Sequence, residues 1–75
     1  MAKLPLINAV KLIKILSKIG FKVVRQKGSH TFLRHDNGRT TVVPVHYGEN
    51  LDRGLLNKIL KEDIKISREE FEKLI

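Results

Sequence analysis

The sequence predicts a small α+β fold in the order helix, three-stranded antiparallel sheet, helix, short C-terminal helix, and three observations carry that reading. Apolar residues recur at helical spacing on both sides of the chain's middle: Leu12, Ile15, Leu16 and Ile19 before it, Leu55, Leu56, Ile59 and Leu60 after it. Between them lie three extended runs rich in β-branched and aromatic residues, Phe21–Lys27, His30–His35 and Arg39–Val45. The runs are joined by Gly28-Ser29 and by Asp36-Asn37-Gly38, connections short enough to force antiparallel neighbours.

Each element has its own signals. The first helix runs from Asn8, whose side-chain oxygen caps the first turn, to Ile19, and Gly20 supplies the left-handed residue that ends it. Lys11, Lys14 and Lys18 fall on its opposite face as a positive ridge, suited to a phosphate backbone or simply to solvent. Pro44 ends the third strand, and Val45 to Asn50 form a loop that carries His46. Asp52 caps a second helix that extends to about Lys61, with Gly54 as a weak point in its first turn. Ser67 and Glu70 form a capping box for a last short helix that buries Phe71 and Leu74. Helices gathered on one face of the sheet bury these stripes and leave the other face open to a ligand.

Length and composition bound the function. With 75 residues, the chain is expected to be one domain over residues 1–75, with a modest core and a surface site. It has no cysteine, so neither disulfides nor thiolate metal clusters hold it. The longest apolar-rich stretch, Leu4 to Ile19, is interrupted by Lys11, Lys14 and Lys18, which argues against a membrane span or a signal peptide. A soluble, cytoplasmic protein is the expectation. The net charge of +7 is unevenly spread: residues 1–47 carry +8, with Asp36 their only acid, and residues 48–75 carry −1. That asymmetry fits a polyanion-binding surface.

Several chemistries lack their parts. The basic region offers one carboxylate, Asp36, and a cluster of His30, His35 and His46 on a positive surface is a poor recruiter of a cation, so no metal is expected. Ser29 and His30 are adjacent, and successive strand residues point to opposite faces, which argues against a Ser-His triad. No glycine-rich loop precedes a helix in the manner of a nucleotide site, and no cofactor is expected. Metal-free cleavage of RNA needs less, because the 2′-hydroxyl is a built-in nucleophile. Imidazole exchanges its proton near neutral pH, and nearby cations can stabilise the phosphorane. The run Arg25-Gln26-Lys27-Gly28-Ser29-His30 puts those parts in one hairpin, with Gly28 allowing close backbone approach and Ser29 offering a donor. By these residues alone, His30 is either such a catalyst or an ordinary hydrogen-bonding strand residue. His35, beside the Asp-Asn-Gly turn, reads as an exposed structural histidine, and His46 as a second proton-transfer group, a phosphate donor or a plain loop residue.

The helix followed by Gly20-Phe21, then Val-Val-Arg-Gln-Lys-Gly-Ser-His ending at His30, then Arg34 to Arg39 and Val43-Pro44-Val45-His46, resembles the HicA family of toxin–antitoxin ribonucleases over nearly the whole chain. Gly54-Leu55-Leu56 with Ile59-Leu60-Lys61 is similar to the family's closing helix. The resemblance implies a fold like the double-stranded RNA-binding domain and metal-independent cleavage of messenger RNA. It also implies catalysis by the histidine of Gly-Ser-His, here His30, and an antitoxin of the HicB kind that masks the site. With it, Arg25, Lys27, Gly28, Ser29 and His46, together with Lys11 and Lys14, become the candidate RNA-binding set. One departure is Asp63-Ile64-Lys65-Ile66, which replaces a shorter, glycine-containing connection and leaves the end of the second helix and the antitoxin-contact surface open.

Other classes fit less well. A non-catalytic RNA-binding module of the same fold would usually place a basic cluster at the start of the last helix, where this chain has Asp52-Arg53-Gly54. A helix-turn-helix DNA binder would have to bring Glu69, Glu70 and Glu72 to phosphates. A purely structural partner of an acidic protein leaves the placement of His30 in the basic hairpin unexplained.

Overall fold

A computed structural model describes residues 6–75. Lys3 and Leu4, counted above in the basic region and the apolar stretch, lie outside the described residues. Helix α1 (Ala9–Lys18) is followed by β1 (Phe21–Lys27), β2 (His30–His35) and β3 (Thr40–Pro44). The second helix begins as α2 (Arg53–Lys58) and continues without a break as a π-wound stretch over Ile59–Ile64, and α3 (Arg68–Leu74) closes the order. The strands form one antiparallel sheet in the order β1-β2-β3. This is the α+β order that the pattern predicts, and it is consistent with the double-stranded-RNA-binding-domain-like fold that the resemblance implies.

The helix starts are where the capping residues put them. Asn8 accepts from Lys11 N at 2.8 Å, Asp52 from Leu55 N at 3.1 Å and Ser67 from Glu70 N at 3.1 Å. Each satisfies an amide that the first turn leaves without an intrahelical partner. The core lies between the helices and one sheet face. Leu12, Ile15 and Leu16 from α1 meet Phe21, Leu33 and Val43 from the strands and Leu56, Ile59, Leu60 and Ile64 from the second helix. Phe71, fully buried, fastens α3 to the same cluster.

Three local features differ from the sequence expectation. Strand β3 is shorter by one residue at each end. The Arg39 carbonyl still accepts from His35 N at 2.8 Å, while the Arg39 side chain reaches across the core side. Its guanidinium lies 5.1 Å from the centre of the Phe21 ring and donates to the carbonyl of Ile64. The second helix runs past Lys61 to Ile64, because tertiary contacts hold the extra turn: Ile64 is fully buried, and Asp63 accepts a hydrogen bond from buried Thr41 at 2.8 Å. The helix ends on Lys65 in the left-handed conformation (φ +60°), where the departing connection lacks the usual glycine. His35 is half-buried rather than exposed. Its ring packs edge-on against Phe21 with centroids 5.1 Å apart, Nε2 lies 3.0 Å from the Ile19 carbonyl, and Nδ1 accepts from Asn37 N.

Candidate functional site

Strand alternation sorts the sheet into two faces. In β2, buried Thr31 and Leu33 point to the helices, so His30, Phe32 and Arg34 point away. In β3, buried Thr41 and Val43 leave Thr40, Val42 and Pro44 on that same open face. Strand β1 starts with buried Phe21 on the helix side, and strict alternation would put Val23, Arg25 and Lys27 there too. A bulge at Val24 prevents this. Phe21, Lys22 and Val23 pair with His35, Arg34 and Leu33, but Arg25 pairs with Phe32 and Lys27 with His30. The extra residue reverses the facing of everything after it, and two cations arrive beside His30 on the open face.

The hairpin tip fixes the end of this arrangement. Gly28 has φ +58° and Ser29 does not share a positive φ, the pattern of a two-residue turn with glycine at its first central position. No atom lies within 4 Å of where a Gly28 side chain would project, so the turn's outer surface is open to a bulky anion. The Ser29 carbonyl accepts from Val45 N at 2.6 Å, which ties the loop bearing His46 to the base of the turn.

On the β3 side the open face runs into a groove of about 430 Å³. His30, Thr40, Val42 and Pro44 form one wall, and Leu55, Lys58, Ile59 and Asp63 of the second helix form the other. His46 lines a separate, smaller depression of about 230 Å³ with Glu49 and Asp52; the two hollows share Pro44 and Leu55. His30 and His46 therefore flank a common ridge. Among the described residues, no three His, Asp or Glu side chains converge as a metal site would require.

The structure thus brings Arg25, Lys27, Gly28, Ser29 and His30 together, and sets His46 at the neighbouring rim. It does not bring Lys11 and Lys14 to them. Those lysines line a different groove, with Asn8, Val10 and Lys18 of α1 and Leu74 of α3, on the helical layer behind the sheet. Sequence reasoning left out Lys22, Phe32, Arg34 and Lys58, which share the face or the groove of His30. For Phe32 and Arg34 the signal was available, since both stand an even number of residues from His30 in one strand.

The model of a protein family described as the HicA toxin of bacterial toxin–antitoxin systems matches residues 10–63, from the first turn of α1 to the last turn of the second helix. The chain belongs to the HicA toxin family. Comparison with curated proteins gives no match. Family membership makes this chain the toxin of a toxin–antitoxin pair, and a toxin of that kind has an antitoxin as its partner. The matched span includes all three strands and the whole open face of the HicA toxin; α3 lies outside it. No helix among the described residues is long and apolar enough to cross a membrane.

Proposed function

We propose that this toxin is a metal-independent endoribonuclease that cleaves messenger RNA, with His30 as general acid and base. The observation that carries the reading is the cross-strand pairing of Lys27 with His30 and of Arg25 with Phe32, which sets an exposed imidazole among cations on an open, acid-free strand surface. His30 takes the proton from the attacking 2′-hydroxyl or delivers one to the leaving 5′-oxygen, and the cations beside it stabilise charge on the phosphorane. Arg25, Lys27 and the Gly28-Ser29 backbone hold the flanking phosphates. His46, across the Pro44 ridge, serves as a further phosphate donor or second proton-transfer group. Lys11 and Lys14 act at longer range, by drawing RNA toward the protein. The partner is a HicB-type antitoxin that covers the open face, and the setting is the cytoplasm.

The test is incubation of the antitoxin-free toxin with a long single-stranded RNA in excess EDTA, beside His30→Ala checked for the same fold. Cleavage by the parent and none by the variant is the expected result. RNA left whole by both proteins, yet retarded equally on a gel, would make this a binding module and end the enzymatic reading.

A further inference from the structure

Phe32 stands at the centre of the open face, between Arg25 of β1 and Val42 of β3, with His30 and Arg34 to either side along its own strand. Its ring is only half-buried, and the Arg25 guanidinium lies over it at 5.8 Å from the centroid. The strand residues on this face include four permanent cations, Lys22, Arg25, Lys27 and Arg34, with His30 and Phe32 among them, and no carboxylate. Lys22 and Arg34 sit directly opposite each other, a like-charge pair that costs the free protein stability and that a polyanion would relieve. An accessible aromatic ring on a cationic strand surface that carries no carboxylate of its own is how single strands are gripped: phosphates by the charges, an unstacked base by the ring or a guanidinium plane. A duplex cannot use such a ring, because its bases are stacked and paired.

From this arrangement we infer that the open face binds single-stranded RNA by stacking one base on Phe32, with Lys22 and Arg34 holding phosphates beyond those held by Arg25 and Lys27. The substrate class is therefore unpaired RNA, although the fold is that of a duplex-binding domain. Phe32 and His30 are two residues apart in one strand, about 7 Å along the sheet. A base held on Phe32 consequently brings its own ribose and adjoining phosphate to the imidazole. The inference deepens the proposed function and rests on its premise that the ligand is RNA.

The experiment is fluorescence anisotropy with the full chain and a short labelled RNA carrying 2′-O-methyl riboses. Such RNA lacks the nucleophile and stays intact whether or not His30 is a catalyst. Phe32→Leu, which keeps an apolar side chain at this position, should weaken binding about five- to 150-fold, the range for loss of one stacked base. Phe32→Tyr should bind as the parent does, and a duplex of the same sequence should bind more weakly than the single strand. A scan of single abasic sites through the RNA needs no protein variant: one position should cost the parent a comparable factor and cost Phe32→Leu nothing further. Equal binding of Phe32→Leu and parent, or a duplex bound as tightly as the single strand, would overturn the stacking inference while leaving RNA as the ligand. Absence of binding to any RNA would overturn the proposed function as well. If Phe32→Leu weakens only capture of a HicB-type antitoxin, the ring is a protein contact and the inference fails.

Discussion

The two lysine-bearing surfaces make different predictions about salt, and the difference can be measured. For single-stranded nucleic acid, the logarithm of affinity falls with the logarithm of salt concentration by about 0.7 for each phosphate neutralised. If Lys22, Arg25, Lys27 and Arg34 each engage one phosphate from the open face, the slope is about −3, and raising salt from about 50 to 200 mM weakens binding about 50-fold. Replacing Arg34 by Gln removes one contact, so the slope should become shallower by about 0.7. Replacing Lys11 or Lys14 by Gln should leave the slope nearly unchanged, because these side chains line a groove on the helical layer, away from His30. The assay is anisotropy of cleavage-resistant RNA at four or more salt concentrations, with each variant's fold checked by circular dichroism. A slope unaffected by Arg34→Gln and reduced by Lys11→Gln would refute the assignment of the open face and move the interface to α1.

The remaining predictions concern stability and are checked by urea or thermal unfolding. Lys22→Glu turns the like-charge pair with Arg34 into an opposite one and should stabilise the free toxin by about 0.2–1 kcal/mol while weakening RNA binding. Arg39→Met keeps an apolar stem over Phe21 but removes the charged donor to the Ile64 carbonyl, and should cost about 1.5–3 kcal/mol without a local effect on the open face. Gly20→Ala should cost about 2 kcal/mol or more, since Gly20 has φ +101° and an added Cβ would come within 2.7 Å of His35 Nε2. Lys65→Gly relieves a left-handed side-chain-bearing residue at the helix end and should add about 0.5–1 kcal/mol.

Most of the fold was legible because its signals are local. The bounds of β1 and β2, the three capping residues and the glycine after α1 follow from spacing and from the chemistry of single side chains. What was not legible depends on contacts distant in sequence. The end of the second helix is decided by Thr41 and Arg39, twenty or more positions earlier, through Asp63 and the Ile64 carbonyl. Half-burial of His35 follows from the approach of Ile19 and Phe21. The bulge at Val24 is the largest omission, because Phe-Lys-Val-Val-Arg-Gln-Lys read as regular alternation puts Arg25 and Lys27 on the helix side. Motif adjacency grouped those residues with His30 in the sequence; the bulge is what makes the grouping real in space.

The same bulge explains how so small a chain keeps stability and binding apart. All the large fully buried side chains lie on the helix side of the sheet, where Phe21, Leu33 and Val43 meet α1 and the second helix. The open face carries little of that burial and tolerates arrangements a core would not: opposed cations, a half-exposed aromatic ring and an imidazole at a turn. Without the bulge, Arg25 and Lys27 would either face the helix side of β1, away from His30, or force a one-residue slip that exposes Phe21. Inserting one residue, Val24, 61% exposed, lets the strand begin as part of the core and finish as part of the open face. A HicB-type antitoxin that neutralises the toxin by covering this face would meet opposed cations, so acidic residues on its docking surface would both bind and relieve the Lys22–Arg34 repulsion.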